Sequence, residues 1–180
     1  LREELKFHPK RAEYYLENGY WANETMSQWL NRHSNDRPDN PAIITLDETI
    51  TWKQVRNLVN QLANGFLRLG LSKGDVVAVQ LPNIPEFLIS YLAISAFGGV
   101  MQTIHMPYGQ VDMEFLLRHS KARAVICLDS FRDFSTAEVM SSIQKKSDTL
   151  ENVIVLGDKI PGDTITFSNL PTEGEPEIGN

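Results

Sequence analysis

The chain has 180 residues, 42% of them hydrophobic and 22% charged, a composition that supports a substantial core and excludes a disordered protein. Its formal net charge is -6, which argues against a nucleic-acid-binding protein, because such a protein needs a basic face to neutralise phosphates. It has one cysteine, Cys127, which excludes an intrachain disulfide and predicts a reduced, cytoplasmic setting.

The first forty residues predict helical decoration beside the main domain. Charged residues interrupt the opening segment throughout, so it does not resemble a signal peptide. The best helix of this region is "ETMSQWLNRH", residues 24–33.

A hairpin and a strong helix come next. The segments "AIIT" (residues 42–45) and "TIT" (residues 49–51) predict two short paired strands. Thr51 and Gln54 have the spacing of a capping box, in which each side chain bonds the backbone amide of the other residue. Apolar residues then recur at helical spacing over residues 52–69, which predicts one amphipathic helix.

Gly70 follows this helix at the position where a left-handed cap is needed, so we predict that Gly70 ends the helix. The segment "SKGDVVAVQ" then predicts a turn followed by a strand over residues 76–80. Asn83 stands three residues before Glu86, which predicts that Asn83 caps the next helix, with Pro85 in the first turn.

Residues 87–104 carry no charge, and their number alone would allow a membrane span. Polar side chains and the pair Gly98 and Gly99 interrupt the segment, and they argue against a span. We interpret it as a buried helix over about residues 84–97, followed by a buried strand.

The second half of the chain continues the alternation of helices and strands. "GQVDMEFLLRHS" predicts a helix with four inward residues, Val111, Phe115, Leu116 and Leu117. "AVICL" (residues 124–128) predicts a strand, and Ser135 and Glu138 have the spacing of another capping box. "NVIVL" (residues 152–156) is the last clear strand in the pattern.

This alternation predicts an α/β fold with parallel strands, right-handed crossovers and helices on both faces of the sheet. From Ser147 to the end there are seven acidic residues and one basic residue. We therefore predict three regions: helical decoration over residues 1–40, an α/β subdomain over 41–157, and an acidic tail over 158–180.

The familiar catalytic motifs are absent from the sequence. Lys73 precedes Gly74, so the Walker pattern fails, and neither G-x-G-x-x-G nor G-x-S-x-G occurs. The glycines of "LGLSKGDVVAVQLPN" therefore predict a scaffold and no phosphate site. The histidines lack the spacing of a metal site; they are His8, His33, His105 and His119.

The remaining reactive side chains favour structural roles. The adjacent pairs Glu3–Glu4 and Asp47–Glu48 are typical of solvated surface charge. Cys127 lies in the middle of a predicted strand, where a buried and inert thiol is expected.

Ligands of open α/β sheets bind beyond the carboxyl ends of the strands. The residues at those ends are Asn83, His105, and the pair Asp129 and Ser130. Each of these positions also has a structural interpretation, because Asn83 could cap a helix, His105 could bond within its loop, and Asp129 could start a turn. We take Asn83 and His105 as candidate residues of a binding rim.

Residues 36–129 resemble the N-terminal part of the adenylate-forming superfamily, which includes acyl-CoA synthetases and aryl-acid AMP ligases. The resemblance depends on an ordered series of features: the helix start at Thr51, the glycine turn that ends at Asp75, the strand leading to Pro82–Asn83, the apolar helix, and the strand at Gly98–Gly99. "YYLENGYW" further resembles the leader of aryl-acid AMP ligases and cyclohexanecarboxylate-type CoA ligases. Family members often carry asparagine where this chain has His105.

The resemblance implies an αβα-layered part of the family's large N-terminal domain. It also implies a two-step reaction, in which ATP and a small carboxylic acid form an acyl-adenylate and the thiol of coenzyme A or a carrier then takes the acyl group. Mg²⁺ and basic groups would neutralise the phosphate charge. The family's phosphate loop, S-G-T-T-G-x-P-K, does not occur in this sequence.

We therefore expect the chain to be an N-terminal fragment of a longer ligase, inactive by itself and without tight binding of ATP, Mg²⁺ or coenzyme A. We also expect self-association of the isolated fragment, no membrane span and no nucleic-acid partner. The alternative is a stand-alone α/β binding or interaction module that lacks catalysis.

Overall fold

The computed structural model of the chain describes residues 9–22 and 24–170. The helices are α1 (Pro9–Glu17), α2 (Met26–Asp36), α3 (Trp52–Arg68), α4 (Pro85–Ala96), α5 (Gln110–Ser120) and α6 (Thr136–Gln144). The strands are β1 (Pro41–Ile44), β2 (Thr49–Thr51), β3 (Val76–Gln80), β4 (Val100–Thr103), β5 (Ala124–Leu128), β6 (Asn152–Leu156) and β7 (Ile165–Thr166).

The main sheet has five strands in the order β4-β3-β5-β6-β7, and every pair in it is parallel. From β3 the chain runs to β4 on one side, then crosses to β5 on the other side and continues outward to β7. The α/β fold with a parallel sheet is therefore confirmed. The predicted hairpin is also confirmed, because β1 and β2 pair antiparallel in a small separate sheet.

Two apolar cores lie on the two faces of the main sheet. The core under α3 and α4 includes Val77 and Val79 of β3, whereas Ala78 of the same strand belongs to the core under α5 and α6. This alternation follows from the two-residue period of a strand. Each fully buried aliphatic or aromatic side chain contributes about 1.5–3 kcal/mol relative to its exposure in water.

Helix α3 begins and ends as the sequence predicted. Thr51 Oγ1 accepts from the amide of Gln54, and Gln54 Oε1 accepts from the amide of Thr51 at 2.8 Å, which completes the capping box. At the other end Gly70 has a φ of 80°. Its amide donates a hydrogen bond to Leu67 O, and the amide of Leu71 donates one to Phe66 O. This pair of hydrogen bonds is the Schellman motif.

Two predicted caps are wrong. Asn83 does not cap α4, because the residue before the helix is Ile84 and the end has no side-chain cap. Pro85 takes the first helical position, where its fixed φ suits a helix start, and this moves the boundary past Asn83. Ser135 does precede α6, but its side chain makes no cap bond; the carbonyl of Asp129 accepts from the amide of Ala137 nearby.

The predicted inward face of α5 is partly wrong. Val111 and Phe115 are 83% and 55% exposed, whereas Met113 and Leu117 are buried and Leu116 is partly buried. Both stripes have a spacing of four residues, so helical periodicity alone did not distinguish them.

The predicted buried strand after α4 is also wrong, because β4 is a half-exposed edge of the sheet. Helix α4 does bury most of its length, as expected, although Leu88 and Tyr91 are exposed. Within residues 9–22 and 24–170, no helix is long and apolar enough to cross a membrane.

The structure adds elements that the sequence pattern did not reveal. Strand β7 pairs with β6, and a 3₁₀ turn over Phe167–Asn169 follows it. Phe167 and Leu170 are buried in the core under α3 and α4, together with Leu30 of α2. Gly65 lets Leu170 approach α3, because a Cβ at Gly65 would clash with the Leu170 backbone. The division into three regions stays a prediction, and residues 171–180 of the acidic tail lie outside the described residues.

Candidate functional site

The strand order defines where a ligand crevice is expected. The chain leaves β3 toward one side of the sheet and later leaves β5 toward the other, so the connections diverge at the carboxyl ends of these two strands. In open α/β sheets, ligands bind at such a switch point. The loops at this point are residues 81–84 and 129–135, and the loop after β4 lies beside them.

The structure brings the two rim candidates together. Asn83 and His105 are both exposed, and both line one open groove with a volume of about 730 Å³ at the carboxyl ends of β3 and β4. Much of the remaining lining is apolar: Leu81, Pro82, Phe87, Ile104, Met106 and Leu116. An apolar groove with a few polar groups is typical of a small-molecule site. The role of Asn83 and His105 stays a prediction.

A buried glutamine, which no sequence motif marks, bonds the backbone of the loop after β4 at this groove. Gln80 is 1% exposed, and its Nε2 donates to the carbonyls of His105 at 3.1 Å and Met106 at 3.5 Å. Its Oε1 is buried and has no hydrogen-bond partner among the described residues. The available signal was one polar residue at the end of the apolar run "VVAVQ". Gln80 therefore holds the loop that carries His105 in place.

A second cavity of about 370 Å³ lies between the loops that follow β4 and β5. Its walls include Tyr108, Phe131 and Phe134, and Phe131 and Phe134 bond each other through their backbones. Arg132 occupies the turn between them with a φ of 55°, and its guanidinium lies 5.3 Å from the centre of the Phe131 ring. Both cavities therefore open at the same end of the sheet, where the strands have their carboxyl ends.

Asp129 bonds the backbone of two loops at the carboxyl ends of the strands. Its carboxylate accepts from the amides of Lys159 at 3.1 Å, Ser130 at 2.6 Å and Asp158 at 3.2 Å. The hydrogen bond from the Lys159 amide, and then those from Ser130 and Asp158, lower the pKa of Asp129 against the opposing effect of burial. The carboxylate is thus ionised and engaged in joining the loops after β5 and β6.

The other reactive side chains match their structural interpretations. Burial, followed by the charge of Asp129, raises the pKa of Cys127 to about 12, so its thiol is protonated and unreactive. Asp47 and Glu48 are exposed in the hairpin turn. The pair Glu3 and Glu4 lies outside the described residues.

The residues described by the structure form no preassembled metal site. They include no group of three or more histidine, cysteine or acidic side chains that could hold a metal ion. The carboxylate of Asp129 is already bonded to backbone amides, which leaves it poorly placed as a magnesium ligand. The sequence also lacks a glycine-rich phosphate loop.

Comparisons with known proteins give a consistent result. A family model described as "AMP-binding enzyme" matches residues 30–177. A putative acyl-CoA synthetase YngI of Bacillus subtilis is 33% identical over 121 residues, which cover 66% of this chain and 22% of that protein. The 2,3-dihydroxybenzoate-AMP ligase of the same organism is 30% identical over 147 residues, which cover 82% of this chain and 27% of the ligase.

The fold matches as well. The apo structure of Mycobacterium smegmatis MbtA superimposes with a TM-score of 0.84 and 25% identity, over 97% of this chain and 32% of MbtA. The chain thus spans less than a third of the length of each of these three proteins. Because the family model covers most of the sequence and the fold agrees, the chain belongs to the AMP-binding, adenylate-forming enzyme family of acyl-CoA synthetases and aryl-acid AMP ligases.

Proposed function

We propose that the chain is the N-terminal part of an ATP-dependent ligase that activates carboxylic acids. The complete enzyme joins a carboxylate to AMP, releases pyrophosphate, and then transfers the acyl group to the thiol of coenzyme A or of a carrier protein. The observation that carries this proposal is the family match over residues 30–177. Proteins named as acid-AMP and acid-CoA ligases among the relatives support it.

We propose a scaffolding role for these 180 residues within that enzyme. They supply a five-stranded sheet, two cores and an open strand-end groove. Because the sequence has no phosphate loop and the described residues form no cluster of metal-ligating side chains, we propose that ATP and Mg²⁺ bind mainly to other parts of the enzyme. The isolated chain is therefore expected to be inactive and to bind these cofactors and coenzyme A weakly.

We propose that Asn83 and His105 lie at the rim of the enzyme's binding cleft. Their position at the strand ends, beside the switch point of the sheet, supports this role. The substrate is a small carboxylic acid. Aryl acids are the first compounds to test, because 2,3-dihydroxybenzoate-AMP ligase is among the relatives that align over most of the chain.

The first test is the reading frame that encodes the chain. A frame that continues past Asn180 into a Ser/Thr/Gly-rich loop supports the ligase. A stop codon at that point contradicts it and favours the stand-alone binding module.

The second test is pyrophosphate exchange with ATP, Mg²⁺ and a panel of aryl and aliphatic acids. We expect acid-dependent exchange from the protein encoded by the complete frame and only background exchange from the 180-residue chain. In the longer protein, Asn83→Ala and His105→Ala test the rim, and Leu46→Ala, at an exposed position on the hairpin, is the control. Acid-dependent exchange by the 180-residue chain would show that it is more than a scaffold. No exchange from the longer protein with any acid would contradict the ligase.

A further inference from the structure

The loop after β4, residues 104–109, forms a wall of both cavities at the carboxyl ends of the strands. Met106 and Tyr108 line the groove of about 730 Å³ and also the cavity of about 370 Å³. Inside the loop, the amide of Tyr108 donates to His105 O at 3.1 Å, and the ring centres of the two residues lie 5.7 Å apart. The position of this loop therefore sets the shape of both cavities.

Gln80 is a side chain that ties this loop to the sheet. It ends β3, which lies between β4 and β5, and it is buried. Its Nε2 donates to His105 O at 3.1 Å and makes a longer contact with Met106 O at 3.5 Å. Because His105 O is also the acceptor of the Tyr108 amide, Gln80 bonds the carbonyl that closes the turn of the loop.

The other end of the Gln80 amide is a cost to stability. Its Oε1 is buried and has no hydrogen-bond partner among the described residues. A buried acceptor without a partner is destabilising, and an apolar side chain of similar size would avoid that loss. The stability of the core therefore explains this glutamine poorly, whereas its hydrogen bond to the loop gives it a role.

We propose that Gln80 is a positioning residue for substrate binding, which acts through the loop after β4. The proposal rests on the proposed function, which assigns ATP mainly to other parts of the enzyme. The substrates concerned are therefore the carboxylic acid and the acceptor thiol. A displaced loop changes the cavities that it lines, so the loss of Gln80 weakens substrate binding and leaves the chemical step intact.

Gln80→Met in the protein encoded by the complete frame tests this role. The substrates measured are the acid in pyrophosphate exchange and, in the complete reaction, the acceptor thiol that the wild type uses, coenzyme A or pantetheine. We expect the KM of at least one of them to rise about tenfold, with kcat and the KM of ATP nearly unchanged. Unchanged KM values for both substrates would overturn the proposal.

Gln144→Met is the matched control for this variant. The Nε2 of Gln144 also donates to a backbone carbonyl, that of Glu151, but this bond lies at the opposite end of the sheet, just before β6. The control should therefore leave the KM of every substrate unchanged. An equal rise of KM in Gln144→Met and Gln80→Met would overturn the proposal.

Thermal unfolding and hydrogen exchange separate positioning from a purely structural role. We expect Gln80→Met to keep or raise the melting temperature of the 180-residue chain, because the substitution removes the unpartnered Oε1. The amide of Tyr108 should exchange its hydrogen faster in this variant, because its acceptor carbonyl is no longer held. A lower melting temperature with unchanged Tyr108 exchange would assign Gln80 to the core and overturn the proposal.

Gln80→Glu tests the hydrogen bond itself. An ionised glutamate presents only acceptors to His105 O, whereas a protonated carboxyl donates as the glutamine amide does. Burial favours the protonated form, so the raised KM, divided by the wild-type KM at the same pH, should fall as the pH is lowered. This division removes any titration that the two proteins share. A ratio that stays well above one down to about pH 5.5 would overturn the assignment.

The outcomes separate this proposal from the proposed function. Acid-dependent pyrophosphate exchange from the wild type, with the same KM values in Gln80→Met, overturns only the positioning role. No pyrophosphate exchange from the longer protein with any acid contradicts the ligase. In that case the melting temperature and the Tyr108 hydrogen exchange of Gln80→Met still decide whether Gln80 positions the loop.

Discussion

His33 shows how one residue acquires its properties from neighbours on its own helix and from Trp52 of α3. The centre of its ring lies 4.6 Å from the ring centre of Trp29 and 4.9 Å from that of Trp52. Its Nδ1 accepts a hydrogen bond from the Arg37 guanidinium at 2.7 Å. Desolvation, followed by the positive charges of Arg37 and Arg32, lowers the pKa of His33 below 6.5. The neutral imidazole is therefore the form that the folded chain favours.

The sign of the pH dependence follows from this shift. Because the pKa is lower in the folded state, the unfolded state binds more protons, and stability falls as the pH drops through 6.5 toward the folded pKa. We expect His33→Asn, which can still accept from Arg37, to lose less stability than the wild type between about pH 7.5 and pH 5. The measurement is the urea midpoint of each protein across this range; parallel profiles would contradict the assignment.

Gln80 and Asp129 show how much the loops at the strand ends depend on residues that do not form the rim. Gln80 holds the loop of His105 through two carbonyls, and Asp129 joins the loops after β5 and β6. In the sequence, Gln80 stands out only as a polar residue after four apolar ones. The rim positions themselves could be predicted, because the residues that follow parallel strands meet at the carboxyl end of the sheet.

At the scale of elements, helix ends were predictable where local chemistry decided them. Thr51 caps α3, and Thr25 with Gln28 makes the same capping box at α2. Asn83 and Ser135 had the same spacing but make no cap bond. Spacing permits a capping box, whereas Pro85 at one helix and the loop geometry at the other decided the outcome.

The end of α3 yields a stability prediction. We expect Gly70→Val to lower the free energy of unfolding by on the order of 1 kcal/mol or more, because a β-branched residue is strained at a φ of 80°. A Cβ at Gly70 would meet no atom within 4 Å, so the loss would report backbone strain and no clash.

Gly162→Val is the matched control for this variant. A Cβ at Gly162 also meets open space, and this glycine does not have a positive φ. Urea unfolding of both variants separates the two effects. A Gly70→Val protein as stable as the wild type would show that the left-handed cap contributes nothing.

For the whole molecule, exposed apolar surface is the property that bears most on function. The described residues expose Leu88 and Tyr91 on α4, Val100 on β4, and Val111 and Phe115 on α5. We predict that the isolated chain self-associates or binds a hydrophobic dye in its native state, since uncovered apolar area favours association.

Size-exclusion chromatography with light scattering and dye fluorescence measures this property. Phe115→Glu should reduce association or dye binding, whereas Leu46→Glu, at an exposed position on the hairpin, should change neither. A strictly monomeric, dye-silent chain with a cooperative thermal transition would count against the fragment and favour a self-contained module.

The sequence by itself determined the class of this protein: most of its elements in order, the parallel sheet, the two ends of α3 and the family. These depend on local propensity, periodicity and motif order, which are readable along the chain. Tertiary structure alone decided the strand order, which made β4 an edge, and chose Met113 over Val111 on α5. It also placed β7 beside β6 and buried Leu170 in the core, although both lie in the acidic C-terminal region. Such choices depend on which surfaces meet in space, and two stripes of equal periodicity look alike until one of them contacts the sheet.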